Sequence, residues 1–148
     1  MKHVIFPLLA LLFLASSCGP ETISTDLMSL EEYIEANNLT VQDGPEGLKY
    51  IIEEPGTADK PSATADVTVR YIGRLTNNNV FDQTRQNPAT FNLQGLIRGW
   101  QLGIPLVGSG GKVQLFLPSN LAYGPRGAGT IPPNADLIFE IELESFEE

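Results

Sequence analysis

The chain has 148 residues, enough for one domain with short appendages, and 42% of them are apolar, too many for a disordered chain. Its formal charge is −9 with no basic run, which argues against a nucleic-acid partner. Fourteen glycines and eleven prolines point to many turns and few long helices.

The N-terminus reads as a leader. Lys2 and His3 precede an apolar run over residues 4–14, and Ala15-Ser16-Ser17 lead to Cys18, the only cysteine. Such a run is too short to span a bilayer as a permanent helix and matches a secretory signal. Small residues directly before a lone cysteine resemble a bacterial lipobox, with Ala15 in the slot that Leu14 misses by one position. The competing reading is an ordinary leader cleaved nearby, leaving a free thiol. On the lipobox reading, residues 1–17 are removed and Cys18 is acylated, so lipid holds the exported chain to a bacterial membrane. Gly19 stands where inner-membrane retention usually has Asp, which favours the outer membrane, facing the periplasm.

Losing the leader removes His3, the only histidine, and acylation consumes the only thiol. Ser-His-Asp and Cys-His catalysis are then excluded, as are His/Cys zinc sites, and no metal or cofactor is expected. Carboxylates, tyrosines, arginines, backbone amides and apolar surface remain for any chemistry.

Residues 18–44 read as a tether holding one short helix. Ser29 and Glu32 have capping-box spacing, and the helix is expected to end near Ala36, before Asn37-Asn38. Tyr33 and Ile34 offer it a narrow apolar stripe, which serves docking or a plain spacer equally well. Gly44-Pro45 marks the expected boundary, and 45–148 is the expected folded domain.

Within it, residues 48–53 form a strand with Leu48, Tyr50 and Ile52 on one face. A better strand covers 66–75, where Val67, Val69 and Tyr71 alternate with Thr68 and Arg70. A turn at 76–79 precedes the returning Val80-Phe81-Asp82, followed by a polar loop over 83–89. Phe91 and Leu93 give a short alternation that stops at Gln94-Gly95. Ile97, Trp100 and Ile104 then share a helix face, and Pro105 limits that helix to about two turns. Strands follow at 112–117 and 137–144, the second alternating apolar Leu137, Phe139, Ile141 and Leu143 with mostly charged neighbours. Between them, 118–134 is a long Gly/Pro-rich loop carrying Tyr123 and Ile131, and long loops in compact domains tend to be functional. The elements sum to an α+β fold, an antiparallel sheet covered by one short helix.

Four motifs, Val69-Arg70-Tyr71-Ile72-Gly73, Val80-Phe81-Asp82, Leu96-Ile97-Arg98-Gly99-Trp100 and the loop from Leu121 to Asn134, resemble the FKBP-type peptidyl-prolyl isomerases in order and spacing. The resemblance runs from about Gly47 to the C-terminus. It implies a twisted antiparallel sheet wrapped around the short helix, with Trp100 at the floor of a proline pocket. Carried over by position, that pocket comprises Tyr71, Phe81, Asp82, Leu96, Ile97, Trp100, Tyr123, Ile131 and Phe139. The Ile97 N–H and the Tyr123 hydroxyl correspond to donors for a bound peptide or macrolide carbonyl, and Arg85 is the one candidate for a pocket arginine. Ala89 stands where the family often has a second phenylalanine, and Thr130 replaces a bulkier apolar residue. The implied activity is cis/trans isomerisation of X–Pro bonds in exported, proline-containing polypeptides. The alternative is a chaperone or peptide-binding module on the same scaffold with little turnover. Taken singly, Tyr71, Phe81 and Phe139 are ordinary core aromatics and Asp82 an ordinary turn cap.

Overall fold

A computed structural model describes residues 26–148. Helix α1 (Leu30–Ala36) and strand β1 (Gln42–Asp43) precede strands β2 (Lys49–Glu54), β3 (Asp66–Leu75), β4 (Val80–Gln83) and β5 (Ala89–Asn92). Helix α2 (Arg98–Gly103), strand β6 (Gly111–Leu117) and strand β7 (Leu137–Glu147) complete the chain. The strands make one antiparallel sheet in the order β1-β2-β6-β7-β3-β4, with β5 also pairing β3.

The period-2 pattern decides the two faces. Val67, Val69, Leu137, Phe139, Ile141 and Leu143 point inward and are buried together with Trp100, Ile104, Leu115 and Leu117. The outer face carries Arg70, paired with Glu144, and Arg74, paired with Glu140 at 2.6 Å. The expected α+β architecture is what forms, a sheet curled around α2.

That helix is shorter than its apolar spacing suggests. Ile97 is its N-cap residue, outside the helix proper, and the chain tightens into a 3-10 turn at Ile104–Leu106 instead of stopping at Pro105. Proline is tolerated in the first turn of such a segment because its missing N–H would have no partner there. Two glycines let α2 lie against β6. A Cβ on Gly99 would stand 2.4 Å from Leu117 Cδ1, and one on Gly103 would stand 2.4 Å from Leu115 Cδ1.

The capping box of α1 is present: Ser29 Oγ accepts from the Glu32 N–H at 3.3 Å and the Ser29 N–H donates to Glu32 Oε2 at 2.8 Å. The Ser29 N–H first, and the Ser29 hydroxyl donating to the same oxygen at 2.9 Å second, hold the Glu32 carboxyl below its ordinary range. The helix docks on the outer face, where Leu30 and Tyr33 pack with Phe116 and Ile138 in a second, smaller core. This explains why Ile138, out of phase with the inward residues of β7, is apolar. Strand β1 then joins the sheet at its edge, pairing Gln42 with Tyr50.

β3 is flanked on one side by an interrupted partner. β4 pairs its C-terminal half and β5 its N-terminal half, and the loop between them crosses opposite Tyr71. There the Tyr71 N–H donates to Thr84 Oγ1 at 3.0 Å and the Thr84 N–H donates to the Tyr71 carbonyl at 3.0 Å. β7 runs to Glu147, three residues beyond its expected end, because a bulge between Thr68 and Val69 lets pairing resume with Phe146 opposite Val67. Among the described residues no helix is long and apolar enough to cross a membrane.

Candidate functional site: an aromatic cavity over the helix

The concave face holds a cavity of about 160 Å³ lined by Tyr71, Phe81, Asp82, Phe91, Leu96, Ile97, Trp100, Tyr123 and Phe139. Four strands, the start of α2 and one loop build it. β3 supplies Tyr71 on its inward phase, and β7 supplies Phe139. The start of α2 brings Leu96, Ile97 and Trp100, and Tyr123 leans in from the long loop.

β4 contributes two consecutive residues to the same face, which a regular strand forbids. A register shift places Asp82 opposite Gly73 and Val80 opposite Arg74, leaving Phe81 as the extra residue. The bulge therefore turns both Phe81 and Asp82 toward the cavity. Gly73 makes room for this. A Cβ there would meet Phe81 Cζ at 2.6 Å and Phe139 Cε1 at 2.8 Å.

The walls are aromatic rings set edge to face. Trp100 meets Tyr71 at 5.0 Å and 81°, and Phe139 at 5.3 Å and 86°, while Phe81 meets Phe139 at 5.5 Å and 87°. Such pairing lets each ring edge rest on a neighbour's negative face and fixes the walls more firmly than area burial alone. Trp100 is only 4% exposed, yet its indole lines the cavity and forms its floor. Its Nε1 is buried without a hydrogen-bond partner among the described residues.

Polar groups sit at the rim. The Tyr71 hydroxyl donates to Asp82 Oδ2 at 2.7 Å, and Asp82 Oδ1 accepts the Gln83 N–H at 2.9 Å. Burial first, and the bond to Asp82 second, push the Tyr71 hydroxyl well above the usual phenol range. The Ile97 carbonyl accepts from the Trp100 and Gln101 N–H groups, whereas the Ile97 N–H has no protein partner among the described residues. Tyr123, 40% exposed, likewise keeps its hydroxyl free of protein partners there.

Two residues expected in the pocket lie elsewhere. Arg85 lines a separate groove of about 380 Å³ on the outer face, with Arg70, Lys112 and Glu142. The loop between β4 and β5 carries it round the sheet edge, so this chain has no pocket arginine from that loop. Ile131 is 8% exposed and packs into the main core beneath the loop, its backbone bridged to Ala128, rather than lining the cavity. Sequence reasoning in turn missed Phe91. Its ring stands 6.2 Å from Trp100 at 80°, and its position opposite Val67 puts it on the inward phase of β5. The alternation of Phe91 with Leu93 was the available signal, but it reads equally as core.

The sequence model of the family described as FKBP-type peptidyl-prolyl cis-trans isomerase matches residues 57–144. The chain belongs to that family. FKBP-type relatives include the Aeromonas hydrophila isomerase FkpA, 47% identical over 121 residues that span 79% of this chain and 45% of that protein. The Legionella longbeachae outer membrane protein MIP is 44% identical over 104 residues, covering 68% of this chain and 45% of that protein. Among solved FKBP-type structures, Escherichia coli FkpA superposes with a TM-score of 0.74 at 37% identity, covering 80% of this chain and 57% of that one. The Pseudomonas syringae isomerase gives 0.72 at 35% identity, covering 80% and 91%. The chain spans less than half the length of the curated FKBP-type relatives named here. In FKBP terms the aromatic cavity lies between helix and sheet, where the sequence resemblance places a proline pocket.

Proposed function

We propose that this chain is a peptidyl-prolyl cis-trans isomerase acting on exported, proline-containing polypeptides. The observation that carries the reading is the aromatic cavity itself, floored by Trp100, with the Ile97 N–H and the Tyr123 hydroxyl unengaged beside it. Five rings grip a pyrrolidine, and the two donors hold the carbonyls of the flanking chain.

Rotation about an X–Pro bond needs no nucleophile, because no covalent bond is made or broken. In its twisted transition state the imide loses resonance, so its carbonyl is less polarised and its nitrogen more pyramidal than in the planar form. A dry apolar cavity solvates that state better than it solvates the planar imide, and binding the two unequally is what lowers the barrier. Fixing the chain on both sides of the proline adds orientation. A protease-coupled assay on a proline-containing tetrapeptide tests the reading. Acceleration that is lost in Phe81→Tyr is expected. Suppression of aggregation without turnover would replace it with the binding-module reading.

Residues 1–25, the apolar run and Cys18 included, lie outside the described residues. We infer that residues 1–17 are a leader, that Cys18 is acylated, and that its lipid holds the chain to the outer membrane, facing the periplasm. Within the expected tether 18–44 it is the part ahead of α1 that links the lipid to the folded body, since α1 and β1 pack with the domain at 45–148. The apolar run at 4–14 and the small residues before Cys18 support this, as does the likeness to a relative named as an outer membrane protein. Mass spectrometry of the mature N-terminus tests it: acyl mass on Cys18 is expected, and an unmodified thiol refutes it.

A further inference from the structure

Asp136, the residue before β7, touches nothing in the cavity. Its Oδ1 accepts the Ser119 N–H at 3.0 Å and its Oδ2 accepts the Leu30 N–H at 3.1 Å. Ser119 opens the 3-10 turn Ser119–Leu121, and Leu30 opens α1. One carboxylate thus satisfies an otherwise orphaned donor at the start of two separate helical segments, both bonds being charge-assisted.

The turn at Ser119 is the root of the long loop. Leu121 is 1% exposed and buried in the main core, and the chain reaches Tyr123 two residues later. The other side of α1 is tied to the β3–β4 turn, where Thr76 Oγ1 donates to the Met28 carbonyl at 2.8 Å and the Tyr33 hydroxyl donates to Asn78 Oδ1 at 3.0 Å. That turn feeds β4, which delivers Phe81 and Asp82. The tether helix therefore bridges the two segments that bring Tyr123 and Phe81-Asp82 to the cavity.

We propose that Asp136 is a positioning residue: by holding the Ser119 turn against α1 it fixes where Tyr123 stands over the cavity. No apolar residue and no amide can replace it. An asparagine has one acceptor for two converging N–H groups, and its own NH2 would face the second of them.

This rests on reading the cavity as the isomerase site, so the test separates the two. In the full chain, Asp136→Ala and Asp136→Asn are compared with wild type well below their melting temperatures, with turnover normalised to folded protein. The expected result is a fall in kcat/KM of about fivefold for Asp136→Ala, carried mainly by KM. In a Tyr123→Phe background the same substitution should cause no further fall, because two residues acting as a unit are non-additive. The Tyr123 ring signals should also shift by NMR in Asp136→Ala without peptide present. A lower melting temperature with unchanged kcat/KM overturns the proposal, as do equal falls in both backgrounds. Wild-type protein without turnover would sink the isomerase reading instead. Asp136 is then judged by the Tyr123 ring signals, and their staying in place overturns the role assigned to it.

Discussion

The Tyr71 hydroxyl and Asp82 Oδ2 meet at 2.7 Å on the rim of the cavity, joining β3 to the bulged strand β4. Burial and this bond raise the pKa of Tyr71, so its proton is held more tightly folded than unfolded. The contribution is fully present below the ordinary phenol pKa and is lost as pH rises beyond about 10. Thermal melting across alkaline pH should fall more steeply for wild type than for Tyr71→Phe. The same variant should lose about fivefold in kcat/KM, since one hydrogen bond of about 1 kcal/mol positions the Asp82 carboxylate.

Gly73 is the point where an added methyl group closes the site. Its Cβ would overlap Phe81 Cζ and Phe139 Cε1, both cavity walls. Overpacking of this kind costs about 1–3 kcal/mol. Urea unfolding of Gly73→Ala should show that loss, and peptide turnover should fall further than stability explains, because both rings must move into the proline space. Normal turnover in a destabilised Gly73→Ala would mean that those rings do not bound the substrate.

Trp100 is the only tryptophan, so its emission reports on the cavity alone. Titration with a proline-containing peptide should change that emission, and an unaltered spectrum at saturating peptide would place binding elsewhere. Replacing Trp100 by Ala should cost about 3–5 kcal/mol. Trp100→Phe should cost much less, because it keeps an aromatic floor and removes a buried N–H that has no partner among the described residues. Chemical denaturation of the two variants separates these outcomes.

Glu46 adopts φ 58° and ψ 19°, a left-handed conformation that non-glycine residues resist, while its carboxylate forms a bidentate pair with Arg98 at the start of α2. That pair draws its carboxyl below the ordinary range. The pair lies in solvent and is worth little by itself. Glu46→Gly should therefore be at least as stable as wild type and clearly more stable than Glu46→Ala, which keeps the strain and loses the pair. Melting temperatures of wild type and the two variants give the order. Glu46→Gly below wild type would show that the ion pair outweighs the backbone strain, and Glu46→Ala level with Glu46→Gly would show that the strain is slight.

Much of this molecule is written in alternations and caps. The inward phases of β3 and β7, the Ser29–Glu32 box and the turn at 76–79 are local patterns, and local patterns survive translation into coordinates. The grouping of Tyr71, Phe81, Asp82, Leu96, Ile97, Trp100, Tyr123 and Phe139 around one cavity is a different matter. It follows from the family resemblance of four motifs, since taken singly these residues read as core aromatics and a turn cap.

What required the folded molecule was everything set by partners distant in sequence. Period 2 says that Phe91 faces inward but not that the inward neighbour is an open cavity. It says nothing of the bulge that turns Phe81 and Asp82 the same way, of Arg85 passing to the outer groove, or of Ile131 sinking into the core. The docking of α1 depends on Phe116 and Ile138, about a hundred residues away, and on Asp136 serving two turns at once. Residue spacing fixes which side of an element a group occupies. Only the packing of elements against one another decides what that side meets.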